Sequence, residues 1–451
     1  MQILALDRRL KLMKENKLLY KAIGKSVLGR YSVYLVNLIS MMILARVFTP
    51  EVFGIIAAIM VFYLFFQLMA EAGLGPAIIN LTQLSNKERD GIFTLTLIIG
   101  VILAGLFLLS SDFLVSFYQI KGIEQVVPFV SVSLILFAIT IVPNALLLRE
   151  QSFYKIAISG TIAEITSTSI AFLLNYYIDA VYALSAKYLA SACISFLMQF
   201  YFSANTDFGR PKIGSQLSAI KPLLSFSLYQ FGFNFINFFS RNLDNILIGK
   251  FLGAASLGIY DKSYQLMKYP LMLLTFAMTP AIQPVIRQNR DDKDKVEKIH
   301  MAFTFKLSMV AIAAGIAMFF LSEFIVLIML GEQWKEVIPI IKILAISIPV
   351  QVVASTSGSF FQAMDKAGVL FLSGCLSAVL MIAAIVIGIF ERDILSISWY
   401  LVIAMHINFV QTYLLMYKKV FNQSAILFFV KMLPIFLAAT LMSLAMLSGK
   451  V

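Results

Sequence analysis

The sequence predicts an all-α, polytopic membrane protein built from two pseudo-symmetric six-helix lobes with extra helix at the C-terminal end. Three observations carry that expectation. Of 451 residues, 60% are apolar and only 13% charged, whereas a soluble domain carries about 25% charged residues. Apolar runs long enough to span a bilayer, about 20 residues each, recur along the whole chain. Two of its stretches also repeat earlier ones in order and at a near-constant offset. So few charges could not cover the surface of soluble domains. The composition therefore excludes a soluble enzyme, a disordered chain and a secreted disulfide scaffold.

In chain order, a basic arm at 1–27 is expected to be cytoplasmic. Apolar runs follow at about 28–48, 52–79, 91–110, 126–147, 156–176 and 180–202, forming the first lobe at 28–202. A cytoplasmic link at 203–222 leads to runs at about 223–250, 255–285, 302–321, 337–362, 367–389 and 394–416, the second lobe at 223–416. One further helix is left over in 417–451. The links are short, which leaves no room for a catalytic domain outside the membrane.

Basic residues orient the spans. The arm through Arg30 and the links on its side carry 23 Lys and Arg, against six (Arg46, Lys121, Lys250, Lys335, Arg392 and Lys450) on the opposite side. Positive loops stay cytoplasmic, so the N-terminus is expected inside. The net charge of +12 then reflects loops facing anionic headgroups rather than nucleic acid. Trp334 and Trp399 are expected near the outer interface. Cys193 and Cys375 lie in apolar runs and read as buried thiols. With two histidines, His300 and His406, and no paired His/Cys cluster, no metal site is expected.

The repeat is visible in two registers. At an offset of 204, Arg46–Ile55 lies over Lys250–Ile259, and Pro76-Ala77-Ile78 over Pro280-Ala281-Ile282. At 211, Ser111–Val115 meets Ser322–Val326, Pro128 meets Pro339, and Gln151 and Lys155 meet Gln362 and Lys366. An even number of helices per copy gives both copies the same direction, related by an axis along the membrane normal. The cleft between the copies is the natural path for a transported molecule.

Polar groups inside spans are costly and usually line water or pair with each other. On the seventh run Ser227, Gln230, Asn234, Asn237, Arg241 and Asp244 recur three and four residues apart, one continuous strip among phenylalanines. Arg241 lies about 14 Å from the outer end at 1.5 Å per residue, too deep to snorkel. A cavity-lining strip is the favoured reading and a hydrogen-bonded helix seam the plainer one. On the eighth run, spacing keeps Asp261, Gln265 and Lys268 on one side, while Lys262 is shallow enough either to snorkel or to face the same cavity. In the first lobe Gln67 and Glu71 sit one turn apart, and Glu164 and Lys187 read either as a plain salt bridge or as transport groups. His406 reads as a satisfied interior histidine.

Arg and Lys at membrane depth suit a phosphate or pyrophosphate, and the surrounding Asn, Gln, Ser and Tyr suit sugar hydroxyls. The acids Glu71, Glu164, Asp244 and Asp261 balance Lys187, Arg241, Lys262 and Lys268. They are candidates for a coupling proton or sodium ion, or they keep the empty cavity near neutral. Asp292-Lys293-Asp294 formally matches a metal-binding DxD but reads as a solvated loop. No phosphate-cradling glycine loop is present, so no nucleotide or other cofactor is expected.

Arg46–Gly54 (RVFTPEVFG), followed by Glu71-Ala72-Gly73-Leu74 and Pro76-Ala77-Ile78, is similar to the opening of Wzx-type polysaccharide repeat-unit flippases. These belong to the multidrug/oligosaccharidyl-lipid/polysaccharide exporter superfamily. Arg241–Asn245 (RNLDN), then Gly249–Gly253 (GKFLG) and Leu257–Tyr260 (LGIY), extended by Lys262, Ser263 and Tyr264, resembles the second-lobe signature of its colanic-acid-exporter-like branch.

The resemblance implies a V-shaped pair of lobes that opens alternately to each side of the bacterial inner membrane. It implies an undecaprenyl-pyrophosphate-linked oligosaccharide as substrate, handed to polysaccharide polymerase machinery, with Arg241 and Asp244 on the central cavity. On this reading Arg241, Lys262 and Lys268 would hold pyrophosphate or acidic sugars while the lipid tail stays among membrane lipids. Such exporters usually have fourteen helices, against thirteen runs here. Two other readings compete with it. A cation-coupled multidrug exporter should have a net acidic cavity, and an O-antigen polymerase or ligase needs a long outer loop, where 111–125 is the longest.

Overall fold

The computed structural model describes residues 31–71, 73–81, 84–216, 221–275 and 279–448, with side chains throughout except at 80, 221–237, 239–241, 279–281 and 284. The basic arm therefore lies outside the described residues. Among the described residues the fold is helical: α1 (Tyr31–Val47), α2 (Pro50–Glu71), α3 (Leu74–Asn80), α4 (Asn86–Leu109), α5 (Ser111–Tyr118), α6 (Ile123–Arg149), α7 (Phe153–Leu174) and α8 (Ala180–Ser203) come first. Then follow α9 (Lys221–Thr275), α10 (Thr279–Arg287), α11 (Lys293–Phe320), α12 (Ser322–Met329), α13 (Val337–Ala345), α14 (Ile348–Ser355), α15 (Ser357–Ala363), α16 (Ala367–Phe390), α17 (Ile394–Met416), α18 (Ile426–Lys431) and α19 (Leu433–Leu447). In their described residues the apolar runs read from the sequence fall largely on helix. Among the described residues, eight helices are long and apolar enough to cross a membrane, or nine if the bent α13 to α15 segment is one span.

Helix starts are set by short polar caps. Ser85 and Glu88 form a reciprocal capping box at α4, and Asp179 and Asp393 accept from backbone N–H groups of α8 and α17, at 2.9 Å each. Apolar stripes left exposed on helix faces are the lipid side: Leu35, Ile39 and Ile43 on α1 recur every four residues, as do Leu433, Leu437 and Leu441 on α19.

The helices gather into two compact units, one from the described parts of Met1–Phe48 and Ile59–Phe238, the other from Thr49–Ala58 and Phe239–Val451. In the first unit α6 is the hub, packed against α4 and α8, with α7 on α8. The link after α8 is strapped to the start of α4. The Lys212 N–H donates to Asp90 Oδ1 at 2.8 Å, the Gly214 N–H to Thr94 Oγ1 at 2.8 Å, and buried Arg89 donates to the Phe208 carbonyl while pairing with Asp90 at 2.7 Å. A hydrogen bond to a charged group contributes about 1.5–3 kcal/mol. Arg89→Ala should therefore speed trypsin cleavage after Lys212 about tenfold in detergent. An unchanged rate would show that the backbone bonds alone hold the strap.

The second unit buries Trp334 and an aromatic cluster. His300 on α11 lies 4.7–5.7 Å, ring to ring, from Phe360, Tyr413, Tyr417, Phe421 and Phe428. Trp334 corrects the expectation of an interfacial ring. It is fully buried and meets the edge of Phe53 at 5.5 Å, because the short helical turn Glu332–Trp334 folds it inward.

The sequence repeat has a structural counterpart. The short helices α5 and α12 both run eight residues and are separated by the 211-residue offset. The 204-residue offset marks a contact. A Cβ on Gly54 would lie 1.7 Å from the Ala254 carbonyl oxygen, and a Cβ on Gly258 would lie 1.9 Å from that of Pro50. Pro50 matches Ala254 and Gly54 matches Gly258 at that offset, so the contact exchanges its own partners, as a two-fold contact must. Small residues four apart let two helix backbones touch. Gly253, at φ 84, breaks α9 just before this crossing and lets its second segment start in the required direction.

Candidate functional site

α9 carries ionic groups singled out from the sequence, Asp244 before the Gly253 break and Asp261, Lys262 and Lys268 after it. Asp244 accepts a hydrogen bond from the fully buried Tyr260 hydroxyl at 2.8 Å, and its other oxygen caps the Asn245 N–H at 2.9 Å. The side chains of Asn234, Asn237 and Arg241, and of Ser227 and Gln230, lie outside the described residues, although their backbone is helical. What that strip faces therefore lies outside the described residues too.

Lys262 is placed differently from the sequence alternatives of a snorkelling or a cavity-facing amine. It is 7% exposed and its ammonium donates to Asp261 at 3.2 Å and to Gln265 at 3.0 Å. The same ammonium sits 4.4 Å over the Phe53 ring, whose edge meets Trp334. Helical spacing had put Asp261 and Gln265 together with Lys268, but a four-carbon stem bends Lys262 across to both. Lys268 is exposed, forms no salt bridge among the described residues, and lies 4.7 Å over Tyr264. Lys262 is thus neutralised in place, whereas Lys268 forms no salt bridge among the described residues and acts on Asp244 only at longer range.

In the first unit, Lys187 on α8 reaches Glu164 on α7 at 2.9 Å, with both side chains largely buried. Thr168 also lies 3.4 Å from the carboxylate. The geometry is that of a closed ion pair, the plainer of the two sequence readings, and it leaves little of the Lys187 charge for an outside anion.

Glu71 is elsewhere. It ends α2, where Gly73 at φ 77 turns the chain into α3, and its Oε1 lies 3.3 Å from where a Cβ on Gly75 would sit. Its carboxylate borders a cavity of about 530 Å³ walled by α2, α3, α6 and α8. Tyr63, Gln67 and Glu71 line it from α2 at successive turns, Thr140 and Asn144 from α6, and Tyr188, Ser191, Ser195 and Gln199 from α8. Asn144 donates to Gln199 at 2.9 Å across the cavity wall.

Sequence reasoning found Gln67 and Glu71 but missed Asn144, Ser191, Ser195 and Gln199. Their signal was present as a polar stripe at 188, 191, 195 and 199. It was weaker than that of the seventh run because it holds no charge.

Other groups singled out from the sequence are engaged locally, although the buried Nε2 of His406 has no hydrogen-bond partner among the described residues. Asp292 caps α11 through the Lys295 N–H at 2.9 Å, and Asp294 accepts from Gln423 at 2.7 Å, so the DxD side chains are committed to structure. His406 Nδ1 lies 2.8 Å from the Val402 carbonyl. Cys193 and Cys375 are free thiols, but Cys193 is only half-buried and Cys375 lies exposed on its helix face, which corrects the expectation of buried thiols; among the described residues no three His, Cys, Asp or Glu gather around a common point.

Residues 43–339 match the family described as polysaccharide biosynthesis protein. The teichuronic acid biosynthesis protein TuaB of Bacillus subtilis is 26% identical over 80% of this chain and 74% of its own length. The lipopolysaccharide biosynthesis protein WzxC of Escherichia coli is 23% identical over 86% of this chain and 78% of its own. Among solved structures, the lipid II flippase MurJ in an inward closed conformation superposes with a TM-score of 0.70 at 13% identity, covering 94% of this chain and 99% of that one. An inward-facing multidrug resistance MATE transporter of the MOP superfamily gives 0.64 at 12% identity, over 90% and 96% of the two chains. At such identities these structures establish a shared fold.

Proposed function

Since this chain belongs to the polysaccharide biosynthesis protein family, we propose that it flips undecaprenyl-pyrophosphate-linked oligosaccharide repeat units across the bacterial inner membrane by alternating access. The observation that carries this reading is a conjunction. One chain matches a polysaccharide biosynthesis family over 43–339 and shares the fold of a lipid II flippase over 94% of its length. The named relatives act in teichuronic acid and lipopolysaccharide biosynthesis, which fits a glycan cargo.

The physical requirements are met by the same residues. A pyrophosphate needs fixed cations at membrane depth. Lys268 is the described candidate, beside Arg241 from the sequence strip, while Asp244 and the Lys262–Asp261 pair keep the surroundings near neutral without cargo. Glu71, whose cavity is lined by no basic residue among the described residues, is the candidate for a coupling proton or sodium ion. The protein acts as a carrier and not as an enzyme, with its N-terminus in the cytoplasm.

Deleting the gene tests the reading. Lipid-linked repeat units should accumulate on the cytoplasmic leaflet, and surface polysaccharide should be lost. Normal surface polysaccharide in the deletion strain, with new sensitivity to ethidium-like cations, would overturn it in favour of a multidrug exporter.

A further inference from the structure

The cavity of the first unit has a chemistry unlike that of the ionic groups on α9. Among the described residues no Lys, Arg or His lines it, and one carboxylate, Glu71, borders it. A phosphate placed there would meet a like charge and no counter-ion, which costs rather than stabilises. A coupling ion held at Glu71 would leave most of the space open, because each water occupies about 30 Å³ and the cavity measures about 530 Å³. That volume lies in the range of about 300–1,000 Å³ usual for organic ligands.

The lining offers what a polyhydroxylated ring requires. The Asn144–Gln199 amide pair spends one donor and one acceptor on itself at 2.9 Å and keeps the other carbonyl and N–H groups for a ligand. The Ser191 and Ser195 hydroxyls lie on the same face of α8 as Gln199. A carboxylate accepts two hydroxyl hydrogen bonds from neighbouring carbons of a sugar, and these are charge-assisted. Tyr63 and Tyr188 supply aromatic surface for the C–H face of a ring.

We propose that this cavity is a carbohydrate subsite: it takes uncharged sugar residues of the lipid-linked cargo, held by Glu71 and the Asn144–Gln199 pair, away from the groups that hold the pyrophosphate. This rests on the flippase reading and adds to it a place and a chemical class for the glycan. A uronic acid or phosphorylated sugar is excluded from the subsite by Glu71.

The test uses the full-length protein in lipid nanodiscs and three probes. These are lipid-linked repeat units extracted from a strain lacking the gene, the free oligosaccharide released from them by mild acid, and undecaprenyl pyrophosphate without glycan. The wild-type protein should bind all three. Asn144→Leu, and independently Ser195→Phe, which fills the cavity from another helix, should each weaken binding of the free oligosaccharide at least about tenfold. Affinity for glycan-free undecaprenyl pyrophosphate should stay at the wild-type value, which also reports that the variants are folded. Wild-type affinity of both variants for the free oligosaccharide overturns the subsite while leaving the flippase reading intact. Failure of the wild-type protein to bind either lipid overturns the flippase reading and the subsite together.

Discussion

Gly258→Val should abolish polysaccharide export and lower the melting temperature of the purified protein. At this position a Cβ would sit 1.9 Å from the Pro50 carbonyl oxygen, and at Gly54 it would sit 1.7 Å from that of Ala254. These obstacles are backbone atoms of helices, which cannot swing aside as the tip of a long side chain can. Overpacking a fitted interface costs about 1–3 kcal/mol, and valine at this crossing should reach the upper end or exceed it. Gly54→Val should behave alike, because the two glycines occupy equivalent places in a two-fold contact. Gly105→Val is the control: it lies on exposed helix with nothing within 4 Å of its Cβ, and it should melt and export as the parent does. Wild-type melting in both Gly54→Val and Gly258→Val would mean that the helix starts do not touch.

The second large effect concerns Glu164 and Lys187. Removing one member of a buried ion pair strands the other charge and costs about 3 kcal/mol, whereas replacing both by neutral groups of similar size is close to neutral. Lys187→Met and Glu164→Gln should each lower the melting temperature by several degrees, and the double variant should recover most of the loss. Export separates structure from function. If the pair is a strut, the double variant exports normally. If Lys187 holds cargo, the double variant is stable yet silent, and the closed geometry at 2.9 Å is then one state of a cycle.

The limits of sequence reading are clear from particular residues. Helical spacing put Asp261, Gln265 and Lys268 on one side, and it placed Glu71 one turn after Gln67. It could not show that Lys262 bends onto Phe53, some two hundred residues earlier, or that Trp334 turns inward to the same ring. Asn144 and Gln199 are unremarkable in their own helices and become a recognisable pair only when α6 and α8 meet. Lys268 and Lys262, six residues apart on one segment, end in opposite situations, one exposed and one sealed.

By itself the amino-acid sequence determined the solvent of this protein, the placing of its helices, its internal duplication and its family. Those follow from quantities that are local or periodic: charge density, apolar run length, and motifs that recur at fixed offsets. Only the tertiary structure decided which polar side chains neutralise one another and which surround an open volume. The reason is that a lipid-spanning helix is apolar toward lipid and toward its neighbours alike, so its period reveals a polar face without revealing what faces it. Partner and register are fixed by close backbone packing, as at Gly54 and Gly258, where the absence of a side chain carries the information.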